Sequence, residues 1–304
     1  MKIQTCFLLP LFLLLSACNE TSTPTSESPT AGKPRVLTTF YPVTYFAQRI
    51  AQEASEVICP LPDSADPIYW MPEASAIQQY QSADLILING ANFEQWIDKV
   101  TLPSSKLINT SQSLKGQLVR YENAVVHKHG PEGEHSHEGV DGHTWMDPLN
   151  ALAQAQEIKA ALIKRWPEQQ PTFTKGYASL ETDLQDLDTR FRTFAESWGN
   201  RALAASHPAY NYIAKRYSLK IINFDLDPES LPDQEILDSI KHTSKEYQFT
   251  HLLWEANPAD EVAEAMRKLG LQNILLAPCE APPESGDYLT TMRQNVSNLE
   301  ALMK

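Results

Sequence analysis

Apolar positions along this chain fall into short β-rich runs that alternate with stretches of helical period. The strand-like runs are 35–40, 56–61, 84–89 and 106–108, then 202–206, 220–224, 251–254 and 273–276. Helical patterns follow Pro42, Pro72 and Asn92 in the first set, and cover 208–217, 232–247, 258–269 and 287–303 in the second. Strands of near-continuous Val, Ile and Leu between helices predict parallel sheets covered on both faces. Two such sets predict two lobes. Between them Tyr177, Leu180, Leu184, Leu187, Phe191, Phe194 and Trp198 recur at steps of three and four, with Asp183, Gln185, Asp186, Asp188 and Arg190 on the other faces. That single apolar stripe predicts one long amphipathic helix of roughly 35 Å. It serves as a spine across both lobes and limits their closure; a coiled-coil seam is the alternative. The fold class is therefore α/β: two βα lobes with parallel sheets joined by a long rigid spine helix.

The N-terminus departs from this pattern. Met1–Lys2 is a short basic segment and Phe7 to Leu15 an apolar run too short to span a bilayer. Leu15–Ser16–Ala17–Cys18 has the form of a bacterial lipobox, so Cys18 is expected to be the lipidated first residue of an exported protein. Residues 19–34 are rich in Ser, Thr and Pro without hydrophobic period, the composition of a tether. The expected organisation is a signal peptide at 1–17, a tether at 18–34, a first lobe at 35–147, a helical linker with the spine at 148–199 and a second lobe at 200–304. The expected location is the periplasmic face of a bacterial membrane.

Charge and cysteine content narrow the function. The net charge is −13, an acidic balance that argues against nucleic acid and suits a cationic ligand. With Cys6 removed and Cys18 lipidated, Cys59 and Cys279 are left. In an oxidising compartment they read as one disulfide, as metal ligands or as two buried thiols. Five of the eight histidines fall in residues 127–143, at His127, His129, His135, His137 and His143, interleaved with Gly and Glu. Neutral imidazole is the commonest protein ligand of zinc, and an interior tract of this kind reads as metal capture.

Ligands of open parallel sheets bind beyond the carboxyl ends of the strands. Asp66, His207, Glu255, Cys279 and Glu280 each follow a predicted strand, and His143 closes the first lobe. These are the candidate metal ligands, with His143, His207, Glu280 and Asp66 foremost. Zinc is the expected ion, with manganese or another divalent transition metal as the alternative, because imidazole with carboxylate suits zinc better than magnesium or calcium. No HExxH, GxSxG or Gly-rich phosphate loop is present, which argues against an enzyme.

The segments TTFYPVTYFAQRIA, ADLILINGANFEQW, HTWMDPLNA, SHPAYNYIAKRYSL and DYLTTMRQNVSNLEAL occur in this order. In them the chain resembles the periplasmic binding proteins of zinc and manganese ABC importers, over essentially everything after Arg35. The resemblance implies an ion held between two lobes, a His-rich loop in zinc-specific members, and a permease as partner to a lipid-anchored monomer. It carries over directly to His143 and His207. It breaks at Ile68, where the family has a ligand His, and at Ala277, where it has a ligand Asp. Glu280, Asp66, Cys279 or the tract residues His135 and His137 are the candidate replacements, and cargo other than a bare ion is a further reading. A lipid-anchored metal buffer or adhesin without a transporter is the alternative function.

Overall fold

The computed structural model describes residues 32–62, 65–121, 125–128, 134–137 and 139–303. The proposed signal peptide, Cys18 and most of the tether lie outside them. Strands β1 (Arg35–Thr38), β2 (Glu56–Ile58), β3 (Leu85–Ile88) and β4 (Leu107–Asn109) form a parallel sheet in the order β2-β1-β3-β4. A hairpin of β5 (Val125–Lys128) and β6 (Glu134–His137) follows, with His127 opposite His135 and Val125 opposite His137. Strands β7 (Ala202–Ala205), β8 (Lys220–Asn223), β9 (His251–Trp254) and β10 (Gln272–Leu275) form a second parallel sheet, ordered β10-β9-β7-β8.

The period-2 geometry of a strand explains why both faces of each sheet are covered. Val36, Leu85 and Leu87 point into one core with α1 (Tyr41–Ala51), while Leu37, Ile86 and Ile88 point into another with Tyr80 of α2 (Ala74–Ser82). In the second sheet Leu203, Ala205 and Leu253 join the first of these cores. Ala204, Leu252 and Trp254 instead meet Ile240 of α6 (Gln234–Tyr247) and Val262 and Met266 of α7 (Asp260–Lys268). The largest core is thus continuous from one lobe to the other, and Lys33–Lys304 forms one compact unit.

The predicted helical linker contains two helices. Pro148 starts α3 (Pro148–Arg165), with the Asp147 carboxylate accepting from Leu149 and Asn150 N–H groups as an N-cap. The break at Trp166–Pro167 precedes α4 (Gln170–Trp198), whose 29 residues extend about 43 Å. Its stripe is buried as predicted and now begins at Phe173. Gly176 lets α4 close on α1, since a Cβ there would lie 2.5 Å from the Arg49 carbonyl oxygen. Asp183 joins the spine to both lobes, accepting from Arg49 of α1 and from Arg293 of α8 (Tyr288–Glu300), each at 2.7 Å.

The helix expected after Asn92 is not formed. Gly90, Ala91 and Asn92 have φ of 74°, 50° and 61°, so the chain leaves β3 through a left-handed turn. The buried Glu94 carboxylate stabilises this turn by accepting from Asn89 N, Gly90 N and Thr39 Oγ1. Only a short 3-10 turn at Ile97–Lys99 follows. Among the described residues no helix is long and apolar enough to cross a membrane.

Candidate functional site

The carboxyl ends of both sheets face one cleft. The loop 141–147 leads into α3 and presents His143, which is 1% exposed. Gly142 packs so closely on Phe93 that a Cβ would meet its ring at 2.9 Å. The Gly142 carbonyl oxygen accepts from the Asn89 side chain, whose own oxygen accepts from Thr144 and Gln154. This satisfied polar layer fixes the loop on the first sheet. From the second lobe the loop is held by Tyr212, which donates to the Asp141 carbonyl oxygen at 2.6 Å, and by Arg216, which pairs with Asp147. Trp145 donates to the Pro278 carbonyl oxygen across the cleft.

The His143 ring lies between two carboxylates. Nδ1 donates to Asp141 Oδ1 at 2.8 Å and Nε2 to Glu280 Oε1 at 3.0 Å. Burial by itself lowers the imidazole pKa, but the Asp141 and Glu280 carboxylates outweigh it and push it up to about 10. The fully buried Asp141 also accepts from Tyr121 and from Asn211 of α5 (Asn211–Tyr217). His207 lies two residues past the end of β7, and its Nδ1 lies 3.6 Å from Glu255 Oε2. The two imidazole rings stand 5.7 Å apart and nearly perpendicular. Each Nδ1 therefore faces a carboxylate, an arrangement that fixes ring orientation and turns Nε2 towards an incoming ligand.

A cavity of about 400 Å³ opens beside these rings, with Asp66, Tyr69, His207, Glu255 and Glu280 among its polar lining. Ile68, Ala277, Pro278, Ala281 and Pro283 supply apolar lining. The carboxylates act on one another: burial, then Glu280 and other nearby carboxylates, pushes Glu255 up to about 8. Burial followed by Asp66 and Glu280 pushes Tyr69 up to about 12. Of the predicted residues, His207, Glu280 and Asp66 thus line one cavity, and His143 contacts it through Glu280. Among the described residues no three His, Cys, Asp or Glu side chains are yet spaced to hold an ion as they stand. The donor chemistry nevertheless fits one. Two bonds of about 2.05 Å at a tetrahedral angle span about 3.3 Å, and the His143–Glu280 pair at 3.0 Å needs only to open slightly.

The cysteines correct one reading. Cys59 and Cys279 are thiols, and no disulfide joins them. Cys279 lines the 400 Å³ cavity, whereas Cys59 lines a neighbouring one of about 250 Å³ that shares Ala281. Each cysteine follows an edge strand of a different sheet, so they come to adjoining cavities without being joined. Burial pushes the Cys279 thiol up to about 11, leaving it protonated at neutral pH and a poor ligand. His129 lies outside the described residues, and only the backbone is described at His127, His135 and His137. Sequence reasoning missed Asp141 as the partner of His143. Its one local signal is the Asp-Gly-His step, with Asp two residues before the candidate ligand.

Two parallel-sheet lobes on a helical spine, with imidazole and carboxylate groups meeting in the cleft between them, define a binding protein for a small cationic solute. Comparison with known proteins makes the class specific. Residues 36–302 match the family described as "ZnuA: Zinc-uptake complex component A periplasmic", and the chain belongs to that family of solute-binding transport proteins, which are not enzymes. It is 29% identical to the high-affinity zinc uptake system protein ZnuA of Bacillus subtilis, over 95% of this chain and 93% of the relative. It is 27% identical to the zinc-binding lipoprotein AdcA of Streptococcus pneumoniae, over 95% of this chain but only 58% of that longer protein. The crystal structure of the Zn(II)-bound ZnuA-like domain of that AdcA superposes with a TM-score of 0.75 at 25% identity, covering 90% of this chain and 98% of the domain.

Proposed function

We propose that this chain captures zinc from the periplasm in its interlobe cleft and delivers it to the permease of an ABC importer. His143 and His207 supply imidazole Nε2 donors, Glu280 a carboxylate, and Asp66 a further carboxylate at the cavity wall. The observation that carries this reading is the pair of buried imidazoles from two lobes, each with a carboxylate at Nδ1: His143 meets Glu280, and His207 lines the same cavity as Glu280. Neutral nitrogen with one or two carboxylates is a donor set that zinc accepts and that magnesium and calcium do not prefer. Zinc replaces the Nε2 proton of His143 and bridges the ring to Glu280. In the same reading Cys18 carries the lipid that anchors a monomer to the membrane, and residues 18–34 are the tether. His127, His129, His135 and His137 raise the local zinc concentration and pass the ion to the cleft.

Zinc titration of the mature protein tests this assignment. His143→Ala and His207→Ala should each weaken the tight phase at least tenfold without changing the circular dichroism. Parent-like affinity in both variants would remove these residues from the site.

A further inference from the structure

The cavity is larger than a bare ion needs, and much of its lining is apolar. About 400 Å³ falls in the range of small-molecule pockets, roughly 300–1,000 Å³, whereas one water occupies about 30 Å³. Asp66, His207, Glu255 and Glu280 supply its donors, and Ile68, Ala277 and Pro283 are among the apolar groups that line it. Apolar wall gives nothing to a hydrated ion, because the waters completing its shell find no acceptor there. It does stabilise an organic group, through surface removed from water. The cavity thus supplies part of a coordination shell and an apolar seat beside it.

We propose that the cargo is a ternary one: zinc held by the cleft's imidazole and carboxylate donors, together with one small organic chelator that completes the shell and rests on the apolar wall. This rests on the zinc reading above and deepens it. Charge restricts the chelator's chemistry. Asp66, Glu255 and Glu280 line the cavity, and Asp227 lies near enough to act on Glu255. A polycarboxylate such as citrate would bring more negative charge into this acidic, half-enclosed space. A chelator binding through amine and imidazole nitrogens brings little, and its carbon skeleton can lie against Ile68 and Ala277. The class is therefore a nitrogen-donor chelate of amino-acid size, with free L-histidine as its simplest probe. The metal joins protein to chelator, so binding of either is cooperative with the other. No covalent step is involved.

Equilibrium dialysis of the mature protein with zinc chloride and radiolabelled L-histidine decides the matter. One histidine retained per protein, only when zinc is present and not replaced by citrate, is the expected result. A second measurement uses Ile68→His, which places an imidazole on the apolar wall. That variant should bind zinc alone at least tenfold more tightly than the parent and retain less histidine. The proposal is overturned if the parent retains zinc without histidine and added histidine only strips the metal. It is equally overturned if Ile68→His leaves the affinity for zinc alone unchanged. Absence of zinc from the parent in every dialysis, with and without histidine, would instead sink the zinc reading itself.

Discussion

Asp141→Asn is the most informative single change, because it removes a charge while keeping a shape. The Asp141 carboxylate receives four hydrogen bonds: Oδ1 from His143 N, His143 Nδ1 and Tyr121 Oη, and Oδ2 from Asn211 Nδ2. An amide has one oxygen and one NH₂. Placed at Oδ1, the NH₂ would confront three donors; placed at Oδ2, it confronts only Asn211. The second orientation wins, so His143 stays in place and keeps its acceptor. The negative charge is lost. Burial then acts on His143 against one fewer carboxylate, and the imidazole becomes both a weaker base and a weaker ligand. Loss of a carboxylate behind a ligating histidine typically costs 10- to 100-fold in metal affinity, about 1.4–2.7 kcal/mol. The Asn211 bond across the lobes is lost as well, costing about 1–3 kcal/mol of stability. Competition against a chromogenic zinc chelator at fixed pH and ionic strength measures the first effect, and thermal unfolding without metal the second. Asn211→Ala separates them. It removes the same interlobe bond and leaves the Asp141–His143 pair intact, so it should lower stability while changing zinc affinity less than threefold. Parent-like affinity in Asp141→Asn, or an equal loss in Asn211→Ala, would refute the reasoning.

Three further outcomes follow from the packing around the cleft. Gly176→Ala should destabilise by roughly 1–2 kcal/mol, since a Cβ held 2.5–2.9 Å from Arg49 and Ile50 backbone costs more than the helix gains from alanine; a raised melting temperature would show that α1 and α4 are not in this contact. Asp183→Asn should lose about 1 kcal/mol, because Arg49 and Arg293 are partly exposed, and the loss should shrink at high salt; a salt-independent loss would point to packing instead. Glu94→Gln should cost about 1–3 kcal/mol, because its NH₂ confronts a backbone donor of Asn89 or Gly90. Burial raises the Glu94 pKa above that of the unfolded chain, so its ionisation weakens the native state as pH rises through the folded value. The deficit of the Gln variant should therefore narrow with rising pH in unfolding titrations, and a constant deficit would show that Glu94 does not titrate in that window.

Period alone made the two parallel sheets and the spine legible. Runs such as Leu85–Ile88 and Ala202–Ala205 can be satisfied only between two apolar layers, and the stripe from Tyr177 to Trp198 only along one helix. The rule that ligands gather at strand ends likewise brought His207, Glu280 and Asp66 to one cavity. Tertiary structure decided what depends on distance between residues far apart in the chain. It cancelled the helix after Asn92, because Glu94 reaches back to Asn89 and Gly90 and holds a left-handed turn that residue propensities do not encode. It kept Cys59 and Cys279 as separate thiols, a matter of where two edge strands end. It also made Asp141 and Glu255 the partners of the two histidines, and shaped a cavity lined both by donors and by apolar groups such as Ile68 and Ala277. Secondary structure is written in local period because each residue faces its sequence neighbours. A binding site forms where several loops meet, and its charges, spacing and volume exist only once both lobes have closed on the spine.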